Sequence, residues 1–70
     1  MKKTYRSNEK NEQGISRKIA TLRDDRNGFF YTFTYEFPMS GPEQLTPCSK
    51  EANRFDTPKA AIEFLKNFFA

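Results

Sequence analysis

The side chains able to do chemistry in this chain are few, and most combinations that catalysis requires are missing. There is no histidine, so the usual general base is absent. The adjacent acids Asp24 and Asp25 stand beside a turn, and in a strand their side chains would point to opposite faces, which suits turn formation better than an acid–base dyad. Cys48 has Lys50 nearby, which would favour its thiolate, but no catalytic partner for it is evident and it reads as an incidental loop or semi-buried thiol. Without histidine, a zinc site would have to use Cys48 and carboxylates, an improbable donor set. Gly28 and Gly41 form no phosphate-cradling loop. The expectation is a protein that is not an enzyme, with no cofactor, no metal and no small-molecule substrate.

Two features point to binding instead. In GFFYTFTYEF the rings of Phe29, Tyr31, Phe33, Tyr35 and Phe37 alternate with other residues, so a strand would carry all of them on one face. Charge is also uneven. Residues 1–27 hold eight Lys and Arg against four acids, whereas residues 28–70 hold four bases against five acids, giving the overall +3. A basic front half suggests a polyanionic partner.

The elements that would position these residues follow from local pattern. Residues 1–14 are polar, with Tyr5 their only large apolar side chain, and read as a flexible basic arm or an edge strand. Residues 15–70 read as one small α+β domain. A hairpin over 15–37 turns at Asn27-Gly28, a strong signal for a two-residue loop. That loop pairs Arg26 with Phe29, Leu22 with Phe33, Ala20 with Tyr35 and Lys18 with Phe37. Ala20 and Leu22 then join the aromatic row, while Arg17, Ile19, Thr21, Arg23, Phe30, Thr32, Thr34 and Glu36 share the opposite face. A four-residue loop keeps these faces; a three-residue loop with a bulge moves Ile19 and Thr21 to the aromatic side.

Pro38 ends the second strand. Gln44 to Thr46, or Cys48 to Phe55, could supply a third, despite poor strand propensity. Thr57 is a good N-cap and Pro58 suits N1, so a helix is predicted over 58–69. Its apolar stripe is Ala61, Phe64, Leu65, Phe68 and Phe69. This helix is the natural cover for the aromatic face, leaving Thr32 and Thr34 to solvent. A ten-residue strand run of about 33 Å exceeds a helix of about 20 Å, so part of the aromatic row should remain uncovered. A lone cysteine, no apolar run of membrane length and no apolar signal segment make a soluble cytoplasmic protein the default.

The stretch GFFYTF resembles the aromatic strand of RNA-recognition domains at Gly28, Phe29 and Tyr31. It departs at Phe30, where that motif has Gly or Ala, and at Thr34, where it has an aromatic; a second helix is also lacking, so the match is rejected. A hairpin followed by Phe55, Thr57 and Ala61 at the head of a C-terminal helix looks like the sheet-plus-helix arm-binding domains of tyrosine recombinases and the related AP2-type modules. That resemblance implies a DNA-reading sheet face made of Arg17, Arg23, Thr32 and Thr34. Glu36 and Glu43 depart from it, standing where phosphate contacts would be wanted.

The leading functional expectation is an adaptor, inhibitor or regulatory protein working by protein–protein contact, alone or as a homodimer, through Phe29, Tyr31, Tyr35, Phe37 and Phe69. The alternative is a DNA- or RNA-binding module using Lys2, Lys3, Arg17, Lys18, Arg23, Thr32 and Thr34.

Overall fold

The computed structural model describes residues 2–70 and contains four strands and one helix, so Met1 of the expected 1–14 arm lies outside the described residues. The strands are β1 (Lys2–Arg6), β2 (Lys18–Asp24), β3 (Phe30–Glu36) and β4 (Ser49–Phe55), followed by α1 (Pro58–Phe69). They form an antiparallel sheet in the order β1-β2-β3-β4, so every neighbour in sequence is a neighbour in space. The α+β architecture and the helix bounds match the sequence reading. Lys2–Arg6 forms one edge of the sheet and Ser49–Phe55 the other.

The turn between β2 and β3 differs from the two-residue expectation. Phe29 pairs with Asp25 in place of Arg26: the Asp25 amide donates to the Phe29 carbonyl at 3.1 Å, and the Gly28 amide donates to the Asp25 carbonyl at 3.5 Å. The loop is therefore Arg26-Asn27-Gly28, closed by Gly28 at φ 85°. This is the three-residue connection with a left-handed glycine at its last position. The Asp25 side chain secures it: one carboxylate oxygen accepts from the amides of Asn27 (2.9 Å) and Phe29 (3.0 Å).

Adding one residue to the loop moves every side chain of β2 to the other face relative to β3. Register is Ile19 opposite Tyr35, Thr21 opposite Phe33 and Arg23 opposite Tyr31. Ala20 and Leu22 consequently lie with Thr34 and Thr32, and that is the face α1 covers. The expected cover of the aromatic row is thus corrected: Thr32 and Thr34 are 0% and 3% exposed, while Tyr31, Phe33 and Tyr35 face away from the helix and are half-buried. Sterics account for the choice. Ala20, Thr32 and Thr34 are small, so Ala61 can approach the middle of the sheet closely enough to be completely buried. Leu22 and Leu65 complete the core, with Tyr5, Phe30, Phe55, Phe64, Phe68 and Phe69 packed around it.

Both helix ends are anchored. The Thr57 hydroxyl accepts from the Ala60 amide at 3.2 Å, and Pro58 occupies N1. At the far end the Lys18 ammonium donates to the Phe68 carbonyl at 2.8 Å and lies 5.4 Å from the Phe68 ring centroid, a cation placed on the negative end of the helix. Asn11 organises the same end of the sheet, opposite the β2–β3 turn. Its carbonyl oxygen accepts from the amides of Gln13 and Ile15, and its amide group donates to the carbonyls of Pro38 (3.2 Å) and Gln44 (2.7 Å). One buried side chain thereby joins the β1–β2 loop to the β3–β4 loop.

Two stability predictions result. Asn11→Ala leaves two carbonyls and two amides without their partner and should cost about 2–3 kcal/mol in chemical denaturation, with hydrogen-exchange protection lost at Ile15. The Thr32 hydroxyl is buried with no hydrogen-bond partner. Thr32→Val keeps its shape and removes that orphan, so it should stabilise the fold by about 1 kcal/mol, read as a higher denaturation midpoint at unchanged slope.

Candidate functional site

The sheet face that α1 leaves open is a grid whose rows are set by the strand register. Across the sheet from β1 to β4 they read Lys2, Arg23, Tyr31, Arg54; then Thr4, Thr21, Phe33, Ala52; then Arg6, Ile19, Tyr35, Lys50. The cations Lys2, Arg6, Arg23, Lys50 and Arg54 surround the rings of β3, and no carboxylate belongs to these rows. Every acid within the strands, namely Asp24, Glu36 and Glu51, falls in the alternate positions on the helix side. Glu51 borders the open face at the β4 edge, but its carboxylate accepts from Asn53 at 2.8 Å on the helix side.

The rings are held in place by these neighbours. The Arg23 guanidinium lies 5.2 Å from the centroid of Phe33, and that of Arg54 lies 4.7 Å from the centroid of Phe29. Such contacts bring the arginine stems over aromatic surface while leaving their charge available to solvent. The Tyr31 hydroxyl donates to the second oxygen of Asp25 at 2.8 Å. Beside Phe33 and Tyr35, where β4 offers only the methyl group of Ala52, a shallow hollow of about 240 Å³ opens next to Lys50. A larger recess of about 750 Å³ lies beside Arg6 and Ile19, with Lys10 and Ser16 of the β1–β2 loop in its wall.

The residues expected from sequence divide between the two sides. Arg23 and Lys2 lie on the open face together with Tyr31 and Tyr35. Phe29 and Phe37 extend the row at the two ends of β3 and are half-buried. Arg17 is beyond the end of β2 and its guanidinium pairs with Glu9 at 3.2 Å. Thr32 and Thr34 are buried under α1 and cannot reach a ligand. The reading face built from Arg17, Arg23, Thr32 and Thr34 is therefore corrected, because the three-residue loop puts the arginine side of β2 opposite to those threonines. Lys3 belongs to the helix side, opposite Leu22, and Lys18 is occupied by the end of α1. Phe69 is also on the helix side, packed edge-on against Phe68, so it shares no surface with Tyr31 and Tyr35. Arg6, Lys50 and Arg54 are members of the open face that sequence reasoning missed. Finding them required the pairing of both edge strands. Among the described residues no group of acids and Cys48 could hold a metal ion, and no helix is long and apolar enough to cross a membrane.

The Asp25–Tyr31 contact gives the site a titratable marker. The Phe29 amide first, then the Tyr31 hydroxyl and the Asn27 and Gly28 amides, hold the Asp25 carboxyl below its usual value. The same hydrogen bond, followed by loss of hydration, raises the Tyr31 phenol. A depressed carboxyl stabilises the fold fully above the ordinary carboxylate range and loses that contribution as pH falls through its lowered pKa. Asp25→Ala should lower the melting temperature at neutral pH and weaken its dependence on acid. In ultraviolet titration it should also return the Tyr31 phenol toward its ordinary value, with Tyr31→Phe assigning the signal.

Compared with known proteins, the chain matches no family model, and neither a curated protein nor a solved structure is significantly similar to it.

Proposed function

We propose that this protein is a non-enzymatic nucleic-acid-binding module acting through the open face of its sheet. The observation that carries this reading is the sorting of charge by face: Lys2, Arg6, Arg23, Lys50 and Arg54 surround half-buried rings, while the acids of the strands lie on the other side and Asp25 of the turn is engaged by the Tyr31 hydroxyl. A polyphosphate backbone is attracted by that arrangement and repelled by few groups on it. Aromatic rings among cations supply stacking as well as charge. Lys2 and Arg23 are common to this face and to the set expected from sequence, while Arg6, Lys50 and Arg54 stand in place of Lys3, Arg17, Lys18, Thr32 and Thr34.

A contact with another protein is the second reading, and it belongs to the helix side. There Tyr5, Ile62, Leu65, Lys66 and Phe69 line an almost wholly apolar hollow of about 240 Å³, and Ile62 is 40% exposed. A homodimer joined through the aromatic row is disfavoured, because it would bring two sets of like charges face to face.

Fluorescence polarisation with labelled oligonucleotides tests the leading reading. Neutralising about five phosphates predicts an affinity that falls about a hundred-fold for a single strand, and about five-hundred-fold for a duplex, between roughly 50 and 200 mM salt. Replacing Arg23 and Arg54 together by alanine should weaken binding and flatten the salt dependence by about two contacts, at a stability cost of about 1–2 kcal/mol for two exposed cation–ring contacts. Lys59→Ala with Lys66→Ala, on the helix, should leave affinity nearly unchanged. Absence of binding at the lower salt concentration rejects the reading.

A further inference from the structure

Resting on the nucleic-acid reading, we infer that the open face takes single strands, with unpaired bases stacked along Tyr31, Phe33 and Tyr35. These rings occupy alternate residues of β3. Their Cα atoms are therefore about 6.6 Å apart, at ~3.3 Å per residue. That is about twice the ~3.4 Å rise per nucleotide in a duplex strand. A base on or between rings so spaced has left its neighbour in the stack, which a paired strand does not permit without melting.

The cations agree with this geometry. Lys2 and Arg6 are on one edge strand and Lys50 and Arg54 on the other, with the rings between them. Three inter-strand spacings of ~4.8 Å separate these rails by about 14 Å before side chains are added. The duplex major groove, ~12 Å wide, is narrower than that span, so a duplex seated in register with one rail does not reach the other with its groove. A single strand running along β3 meets both rails. The hollow beside Ala52 adds a place for one base, because it lies against Phe33 and Tyr35 and opens next to Lys50. Ala52 is exposed, and a larger residue there would fill the hollow without removing a ring.

The experiment uses the whole chain and four labelled probes of about a dozen nucleotides, within the range of single-strand sites: mixed-sequence DNA and RNA single strands and the matching duplexes. The expected result is tighter binding of single strands than of duplexes. Tyr35→Leu should lose about ten-fold in single-strand affinity and Tyr35→Phe should retain it, since only the phenylalanine keeps a stacking face. Ala52→Leu should weaken single-strand binding with an unchanged circular dichroism spectrum, which separates a filled hollow from a damaged fold. Tighter binding of duplexes, or equal binding by Tyr35→Leu and Ala52→Leu, overturns this inference while the nucleic-acid reading stands. Failure of all four probes overturns both. The DNA and RNA arms tell which sugar the face prefers.

Discussion

The turn between β2 and β3 determines which side of this sheet meets water. Strand side chains alternate with period two, so a loop one residue longer or shorter exchanges every contact between two strands. Asp25 fixes the count at three by accepting at once from the Asn27 amide within the loop and the Phe29 amide just after it, and Gly28 supplies the positive φ that closes the loop. With β2 set in this way, Ala20 and Leu22 are carried to the side of Thr32 and Thr34, and Ile19, Thr21 and Arg23 to the side of the rings. The helix then has one suitable bed, and the small residues of that bed let it come close.

A division of labour follows between the two faces. The helix side has the completely buried residues, the strand acids and the lysine that caps α1. The other side has the rings and the arginines that lie over them. A domain of this size has little core to spare, and here the centre of that core is built from Ala20, Leu22, Ala61 and Leu65 with phenylalanine rings around it. Phe33 and Tyr35 add partial burial to the fold, and Tyr31 adds its hydroxyl's bond to Asp25, but none of the three belongs to the core under the helix. Their positions can therefore answer to a ligand more freely than those under the helix.

The sequence was most legible where a signal is local. Thr57 and Pro58 mark the helix start, and the spacing of Ala61, Phe64, Leu65, Phe68 and Phe69 marks its inner side. The hairpin position was legible from Asn27-Gly28, but the loop length was not, because that pair serves both two- and three-residue loops. The deciding cue is Asp25: Asp at the first position and Gly at the fourth is the pattern of a type I turn. The edge strands were harder for a different reason. β1 contributes only Tyr5 to the core and β4 chiefly Phe55, so neither has the apolar alternation that identifies a half-buried strand. Polar, charged edges also discourage pairing with other chains. The tether at Asn11 was invisible because its acceptors, Pro38 and Gln44, are distant in sequence.

These hidden edges matter to function because they bring most of the charge. Read without them, β2 and β3 offer rings and one arginine, which looks like surplus core seeking a protein. With them, the same rings are bordered by Lys2 and Arg6 on one side and Lys50 and Arg54 on the other. The arginines also link the free and bound states of the proposed interface. In the free protein Arg23 and Arg54 cover Phe33 and Phe29, contacts worth about 0.5–1 kcal/mol each at an exposed site. A base can displace a guanidinium from a ring at that small cost, and the displaced cation remains on a flexible stem within reach of a phosphate. The rings are thus kept from being a bare apolar surface in solution, while little free energy opposes their exchange of one planar partner for another.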